Sequence, residues 1–476
     1  MAPVLPGLPV HETQTRAARP RLALRQPARR HDPAPALQRD VRRGSPDRRR
    51  LRHRVPARPP GDPGAGRLDR RDAGHRGTGR PAARVPGRGH QAIHREDRSG
   101  YKAGALDAGL QVARGTFVAI FDADFVPRPD FLARTVHYFT NPRVAMVQAR
   151  WGHINEDYSL LTKIQGMLLD AHFVLEHGAR NRAGCFFNFN GTAGIWRREA
   201  IADGGGWQHD TLTEDLDLSY RTQLRGWEFV FVNDHVAPAE LPVEMNAFKS
   251  QQHRWAKGSI QTFLKLMPRI LRSDQPSRVK AEAFFHLSAN LNYPLMCVLS
   301  VLMAPSMIIR YNMGWYEMML IDIPLFLAAT ASVANFYMVC QRELHPRTWT
   351  ERLRYLPFLM SIGIGLAVNN TRAVLEALFH KPSEFARTPK YGVEGRADDW
   401  VTKKYRQADL IQPLIEVALG VYFTGTLFYA LANGIYGTVP FLMLFQVGFL
   451  YTGLLSLMQQ FGTETVVTVA ERKEAA

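Results

Sequence analysis

Two aspartates one residue apart, Asp122 and Asp124, follow the short apolar run Thr116–Phe121 (TFVAIF), which reads as a buried strand. Carboxylates at i and i+2 on the loop after a strand can share a hard divalent cation, which takes oxygen ligands and keeps phosphate and water in its shell. Such a cation would neutralise charge on a departing diphosphate. A solvated turn explains the same pair without chemistry. Further on, Thr213-Glu214-Asp215 stands before the helix-like Leu216–Arg225. A carboxylate there could take the proton of an attacking hydroxyl, although acids favour the first turn of a helix in any case. Gln251-Gln252-His253-Arg254-Trp255 precedes the first long apolar run. Its Arg offers a fork to a diphosphate and its Trp a flat face to a sugar ring; an interfacial helix anchored by Trp and Arg reads equally well. Phe187–Gly194 (FNFNGTAG) has two glycines suited to close backbone approach. Tyr101-Lys102-Ala103-Gly104-Ala105-Leu106 carries a lysine that could meet a phosphate or lie on an ordinary helix surface.

These residues need a scaffold. Val144–Gln148 and Phe229–Val232 are further short apolar runs, and Tyr101–Ala113 and Leu160–Glu176 read as helices between strands. Strands alternating with helices predict a mostly parallel sheet in a domain spanning 92–280.

Beyond 280 the composition changes. Ala283–Ile309 contains no Asp, Glu, Lys or Arg over 27 residues, Ile323–Cys340 none over 18, and Val417–Thr463 none over 47, with Asn433, Gly434 and Pro440 marking a turn. About 20 apolar residues cross the hydrocarbon as a helix. We expect four spans, 283–309, 321–340, 414–433 and 438–460, within a membrane region covering 281–476. A fifth apolar run, Tyr355–Thr371, has basic flanks on both sides: Arg342, Arg347, Arg352 and Arg354 before it, and Lys381, Arg387, Lys390, Arg396, Lys403 and Lys404 after it. Positive flanks stay cytoplasmic, so segment 355–379 is expected to be interfacial or re-entrant, and Asn369, Asn370 and Arg372 suit that reading.

The formal charge of +17 is uneven. Residues 1–91 form an Arg/Pro-rich segment; its first 90 residues hold 22 Arg and no Lys against seven acids, and no Phe, Tyr, Trp, Ile, Asn or Cys. That composition cannot build a packed core, and without stacking aromatics it does not suit nucleic acid. It reads as a disordered tail or as a GC-rich gene translated out of frame, the language changing near Gln91–His94. The three cysteines, Cys185, Cys297 and Cys340, have neither zinc spacing nor a paired framework. No signal peptide is legible.

In their order, the motifs resemble the processive branch of family 2 glycosyltransferases (cellulose synthase-like, closest to the mannan and glucomannan synthases), whose signature is D, D, D, QxxRW. Asp122 and Asp124 match the DxD element, Asp215 the base of TED, and Gln251, Arg254 and Trp255 the QxxRW element. Glu384–Lys390 looks like the FxVTxK gating motif of cellulose synthases through Phe385, Thr388 and Lys390, in a loop expected over 381–406. The resemblance covers roughly 92–463. It implies an α/β GT-A catalytic domain with a Rossmann-like mixed sheet, followed by a multi-pass helical membrane region. It also implies inverting transfer of a hexose from a nucleotide sugar, UDP-glucose or GDP-mannose, onto a growing β-glycan. Asp215 would be the general base. Lys102, Asp122, Asp124, Arg254 and Lys390 would hold the donor, and Asp122 and Asp124 would hold Mg2+ or Mn2+. Asn190, Gly191, Thr192, Glu214, Gln251 and Trp255 would line the acceptor. The partners would be nucleotide sugar, glycan or lipid acceptor and membrane lipids, not nucleic acid, with the catalytic domain on the cytosolic side of the inner membrane.

The family also opens with a PxxNE-type loop and an earlier aspartate that bind the nucleoside; residues 1–90 offer only His11-Glu12 after Leu8-Pro9-Val10 as an echo. Weak donor binding by this polypeptide is therefore expected. A glycolipid transferase and a non-catalytic remnant remain the alternatives. A transporter fits poorly, because the ionisable residues sit in the soluble domain rather than in the spans.

Overall fold

A computed structural model of the chain describes residues 91–315, 317, 319–383, 388–394 and 410–475, with side chains to 461 except at 319 and 320. The Arg-rich segment and Phe385 of the gating-like motif lie outside the described residues, as does most of the loop expected over 381–406.

The first half is an α/β domain. Its sheet has four strands: β1 (Phe117–Ile120), β2 (Val144–His153), β3 (Gly194–Arg197) and β4 (Glu228–Ala239), in the order β1-β3-β2-β4. β1 and β2 both pair antiparallel with β3, and β2 pairs parallel with β4. The sheet is thus mixed, and the expectation of a mostly parallel one is corrected. The cause is β3, a four-residue strand that inserts between β1 and β2. Its alternation separates Trp196 from Ile195: Trp196 packs with Phe189, Leu218 and Phe229 on one face, and Ile195 with Phe131, Val147 and Ala149 on the other.

The helices of this domain are α1 (Tyr101–Val112), α2 (Phe131–Thr135), α3 (Leu160–Ala171), α4 (Gly178–Arg182), α5 (Arg198–Asp203), α6 (Glu214–Leu224) and α7 (Met245–Arg272). Ser159 and Thr162 form a capping box that starts α3. α3 runs into one π-helical turn, His172–His177, before α4; such turns gather at functional sites.

The second half is helical: α8 (Ser277–Ser288), α9 (Asn292–Asn312), α10 (Met319–Leu344), α11 (Trp349–Arg352), α12 (Leu356–Gly365), α13 (Ala367–Leu378), α14 (Ile411–Ala432) and α15 (Val439–Ala475). Five stretches are long and apolar enough to cross a membrane: Ser277–Asn312, Ile321–Leu344, Trp349–Leu378, Ile411–Ala432 and Tyr436–Phe461. Four cover the expected spans, to within one residue at the end of 414–433. The third covers the segment expected to be interfacial, again to within one residue, so by length and composition there is one more candidate than the four expected. It breaks at Leu366 between α12 and α13. α12 lies so close to α15 that a Cβ on Gly448 would collide with the Ser361 carbonyl oxygen.

The two halves share a core. Ile164 and Met167 of α3, Met245 and Phe248 of α7 and Leu359 and Ile362 of α12 pack in one buried cluster. Lys249 of α7 is buried against Glu416 of α14, and also donates to the Ser456 hydroxyl at 2.7 Å and the Thr452 carbonyl at 3.1 Å.

Candidate active site

The acidic loop leaves β1 at Asp122. The backbone N–H of Asp122 donates to Thr192 Oγ1 at 2.8 Å, which ties this loop to the turn before β3. Lys102, on the first turn of α1, donates to both Asp122 carboxylate oxygens at 2.8 and 3.0 Å and to the Gly191 carbonyl at 3.0 Å. Asp124, two residues on, meets Lys390 Nζ at 2.8 Å.

Gly191 explains itself by space and by conformation. Its φ of +81° favours glycine. A Cβ there would lie 2.9 Å from Asp215 Oδ2 and 3.2 Å from Lys102 Nζ. The Asp215 carboxylate, Lys102 and Asp122 therefore surround one point, although they come from α6, α1 and the loop after β1.

Glu214 and Asp215 open α6. Asp215 Oδ1 accepts from the Leu216 N–H at 2.9 Å. Burial raises the Asp215 pKa, against the opposing pull of Lys102, the Leu216 N–H and Arg254. Burial and then repulsion from Asp215 push Glu214 up to about 7. For Lys102, burial works against the charge, but Asp122, Glu214 and Asp215 outweigh it and hold its pKa above the ordinary value. Arg254 of α7 faces the same carboxylates: burial lowers its pKa, partly offset by Glu214, Asp215 and Asp122. Gln251 and Trp255 are half-buried on the same stretch of α7. The helix is seated against the Thr213-Glu214-Asp215 turn at Gly258, where a Cβ would meet Thr213 Cγ2 at 2.5 Å and its backbone nitrogen at 2.9 Å. A cavity of about 80 Å³ opens beside Lys102 and Glu214, bounded by Gly100, Tyr101, His209 and Ser383.

Two residues expected at the acceptor also brace the site. Thr192 is fully buried, its hydroxyl engaged with Asp122. The Asn190 amide is taken up by two histidines: its Oδ1 lies 2.7 Å from His177 Nε2 and its Nδ2 lies 3.0 Å from His172 Nε2. Gly191 faces Asp215. Sequence reasoning missed those histidines and Gln148. The buried Gln148 side chain accepts from the Asn190 N–H at 3.0 Å and donates to the Thr192 and Ala193 carbonyls at 3.1 and 3.2 Å. This brace holds Ala193 at φ +56°, a left-handed backbone unusual for alanine. The available signal was a glutamine closing the apolar strand Val144–Gln148.

For a divalent cation, Asp122 and Asp124 are the donors at hand. Among the described residues no group of three or more His, Cys, Asp or Glu could hold a metal. Both carboxylates are matched by lysines. A two-carboxylate set completed by phosphate oxygens and water suits a hard cation that arrives with a diphosphate, so the residues fit.

The sequence profile described as "Glycosyl transferase family group 2" matches residues 117–340, which takes in the acidic loop, Asp215 and the Gln251–Trp255 stretch. Curated relatives agree. Glucomannan 4-beta-mannosyltransferase 1 of Cyamopsis tetragonoloba is 34% identical over 355 residues, covering 72% of this chain and 65% of that protein. The chain belongs to family 2 of the glycosyltransferases. Within that family it is cellulose synthase-like. Glucomannan 4-beta-mannosyltransferase 2 of Arabidopsis thaliana is 49% identical over 183 residues, 38% of this glycosyltransferase and 34% of the relative. The chain thus spans about a third to two thirds of the length of these two curated relatives. A solved mannosyltransferase from Pyrobaculum calidifontis, in complex with GDP-Man and Mn2+, overlaps 59% of this chain and 67% of its own at 20% identity, with a TM-score of 0.36, a likeness too slight to bear on the site.

Proposed function

We propose that this glycosyltransferase is a membrane-bound inverting enzyme that moves a hexose from a nucleotide sugar to the end of a growing β-glycan. The observation that carries the reading is the convergence of Lys102, Asp122, Asp215 and Gly191 on one point, with Arg254 facing the same carboxylates. The acceptor hydroxyl attacks the anomeric carbon, and Asp215 takes its proton. The bond from that carbon to the β-phosphate oxygen breaks, and the nucleoside diphosphate leaves with the electron pair. A single displacement inverts the anomeric centre and needs one base. Burial supports Asp215 in that role, because a raised pKa makes a carboxylate a stronger proton acceptor near neutral pH. Lys102, Lys390 and Arg254 present positive charge to the diphosphate. A divalent cation, Mg2+ or Mn2+, would be held by Asp122 and Asp124 and would neutralise the leaving group. Trp255 would stack on the terminal sugar of the acceptor.

The names of the relatives, glucomannan mannosyltransferases, favour GDP-mannose over UDP-glucose as donor. A polymeric acceptor is favoured by a cavity of about 230 Å³ on the membrane side of α7, whose lining residues include Asn246, Lys249, Ser250, His253, Asn369 and Arg372. We place the α/β domain on the cytosolic face of the inner membrane, where nucleotide sugars are made.

The test is product formation by membranes given labelled GDP-mannose or UDP-glucose. Asp215→Asn is expected to lower turnover about 10²- to 10⁴-fold while leaving donor binding within a few-fold. Turnover surviving in that variant would remove Asp215 from the role of base.

A further inference from the structure

The loop that carries Lys390 reaches Asp124, yet it follows a membrane-side helix, α13, and is remote in sequence from the sheet. One carboxylate accounts for its placement. Glu240, the first residue after β4, is buried at 8% exposure. Its side chain accepts three successive backbone N–H groups: Oε1 from Tyr391 at 3.0 Å and Val393 at 3.3 Å, and Oε2 from Gly392 at 3.0 Å. Successive amides converge on one anion only where the backbone bends into a nest. Gly392, at φ +69°, supplies that bend. The Lys390 ammonium donates to the carbonyl oxygen of the same Glu240. Tyr391 and Val393 are buried with Val243, and the Tyr391 hydroxyl donates to Glu244 at 2.8 Å.

The acidic loop is fastened to the same strand end. Phe125 bridges Ala239, and the Val126 N–H donates to the Pro238 carbonyl at 2.9 Å. The last residues of β4 and Glu240 therefore hold both the loop bearing Asp124 and the loop bearing Lys390, and the 2.8 Å ion pair between them follows from that shared post.

We infer that Glu240 is a positioning residue: it clamps residues 391–393 so that Lys390 stands against Asp124 when no nucleotide is bound and is ready for a phosphate when one is. The inference rests on the site reading above for the phosphate, but not for the clamp. Lys390 and a divalent cation then compete for Asp124, and freeing the loop favours the cation.

The experiment uses the full chain in nanodiscs without nucleotide. In Glu240→Ala, hydrogen exchange at Tyr391–Val393 should accelerate at least tenfold, with the β2 amides unchanged. Mn2+ binding, followed by electron paramagnetic resonance, should tighten at least threefold. In turnover, the donor KM should rise at least fivefold with kcat changed less, and Glu240→Asp should recover part of each effect. If the alanine variant does not fold, Glu240→Gln, which keeps the size and loses the charge, should move exchange in the same direction. Unchanged exchange at 391–393 in the folded variant overturns the clamp. Faster exchange with unmoved Mn2+ affinity overturns the competition at Asp124. If exchange and Mn2+ affinity shift as expected but the wild-type chain transfers no sugar, the clamp stands and the sugar-transfer reading falls.

Discussion

At the scale of single residues, the site is a balance of unlike charges under partial burial. Asp215 works as a base only when deprotonated. Its pKa is raised above the ordinary 3.8 chiefly by burial, so the competent form is lost as pH falls through that raised value. The acid limb of kcat/KM should therefore lie above the ordinary aspartate range. Lys102 pulls that value down, so Lys102→Met should move the limb to higher pH. A pH profile whose limb does not move would show that Asp215 is not the titrating group. Asp122, Asp124, Asp215 and Arg254 were legible because each belongs to a short motif whose spacing survives in one dimension. Gln148, His172, His177 and Glu240 were not. Their partners lie 13 to 153 positions away, and apart from the place of Gln148 at the end of an apolar strand nothing local marks them as braces.

Among the elements, α7 and β3 decide most. β3 escaped the sequence reading because four residues, Gly194–Arg197, give too short a pattern, and its antiparallel place depends on β1 and β2 leaving a gap. The other strands were legible from their apolar runs, and α1 and α6 to within about two residues at each end. α7 is set by a glycine: Gly258 lets it touch the backbone of Thr213, and so fixes Arg254 relative to Asp215. Gly258→Ala requires the helix or the turn to give way, since the obstacle includes the Thr213 nitrogen. Turnover is expected to fall at least tenfold with only modest loss of stability, about 1–3 kcal/mol for overpacking. Parallel assays of activity and thermal unfolding separate the two; equal turnover would mean that the contact does not hold the site.

For the molecule as a whole, the basic character belongs to residues outside the described structure, and the remainder joins an α/β domain to apolar helices. The joint is polar as well as apolar. Lys249 and Glu416 are buried together at 5% and 0% side-chain exposure. Removing one partner strands a charge, so Glu416→Ala should cost about 3–5 kcal/mol, whereas replacing both by Met should be close to neutral. Thermal unfolding in detergent measures both; a single variant as stable as the double would show the pair to be solvated. The composition foretold the apolar runs but not this pair, since a lone lysine and a lone glutamate 167 positions apart carry no mutual signal. α7 also holds Lys257 against Glu376 of α13 and the Lys381 carbonyl. One continuous rod, Met245–Arg272, thus belongs to the chemistry at Arg254 and to the bilayer side at Lys249 within two turns. The polypeptide has no clean seam there. Severing it after the rod would strip Lys249 and Lys257 of their counter-charges and lay bare the apolar stripe around Phe248, so a soluble fragment would lose the posture of the very helix that completes the pocket.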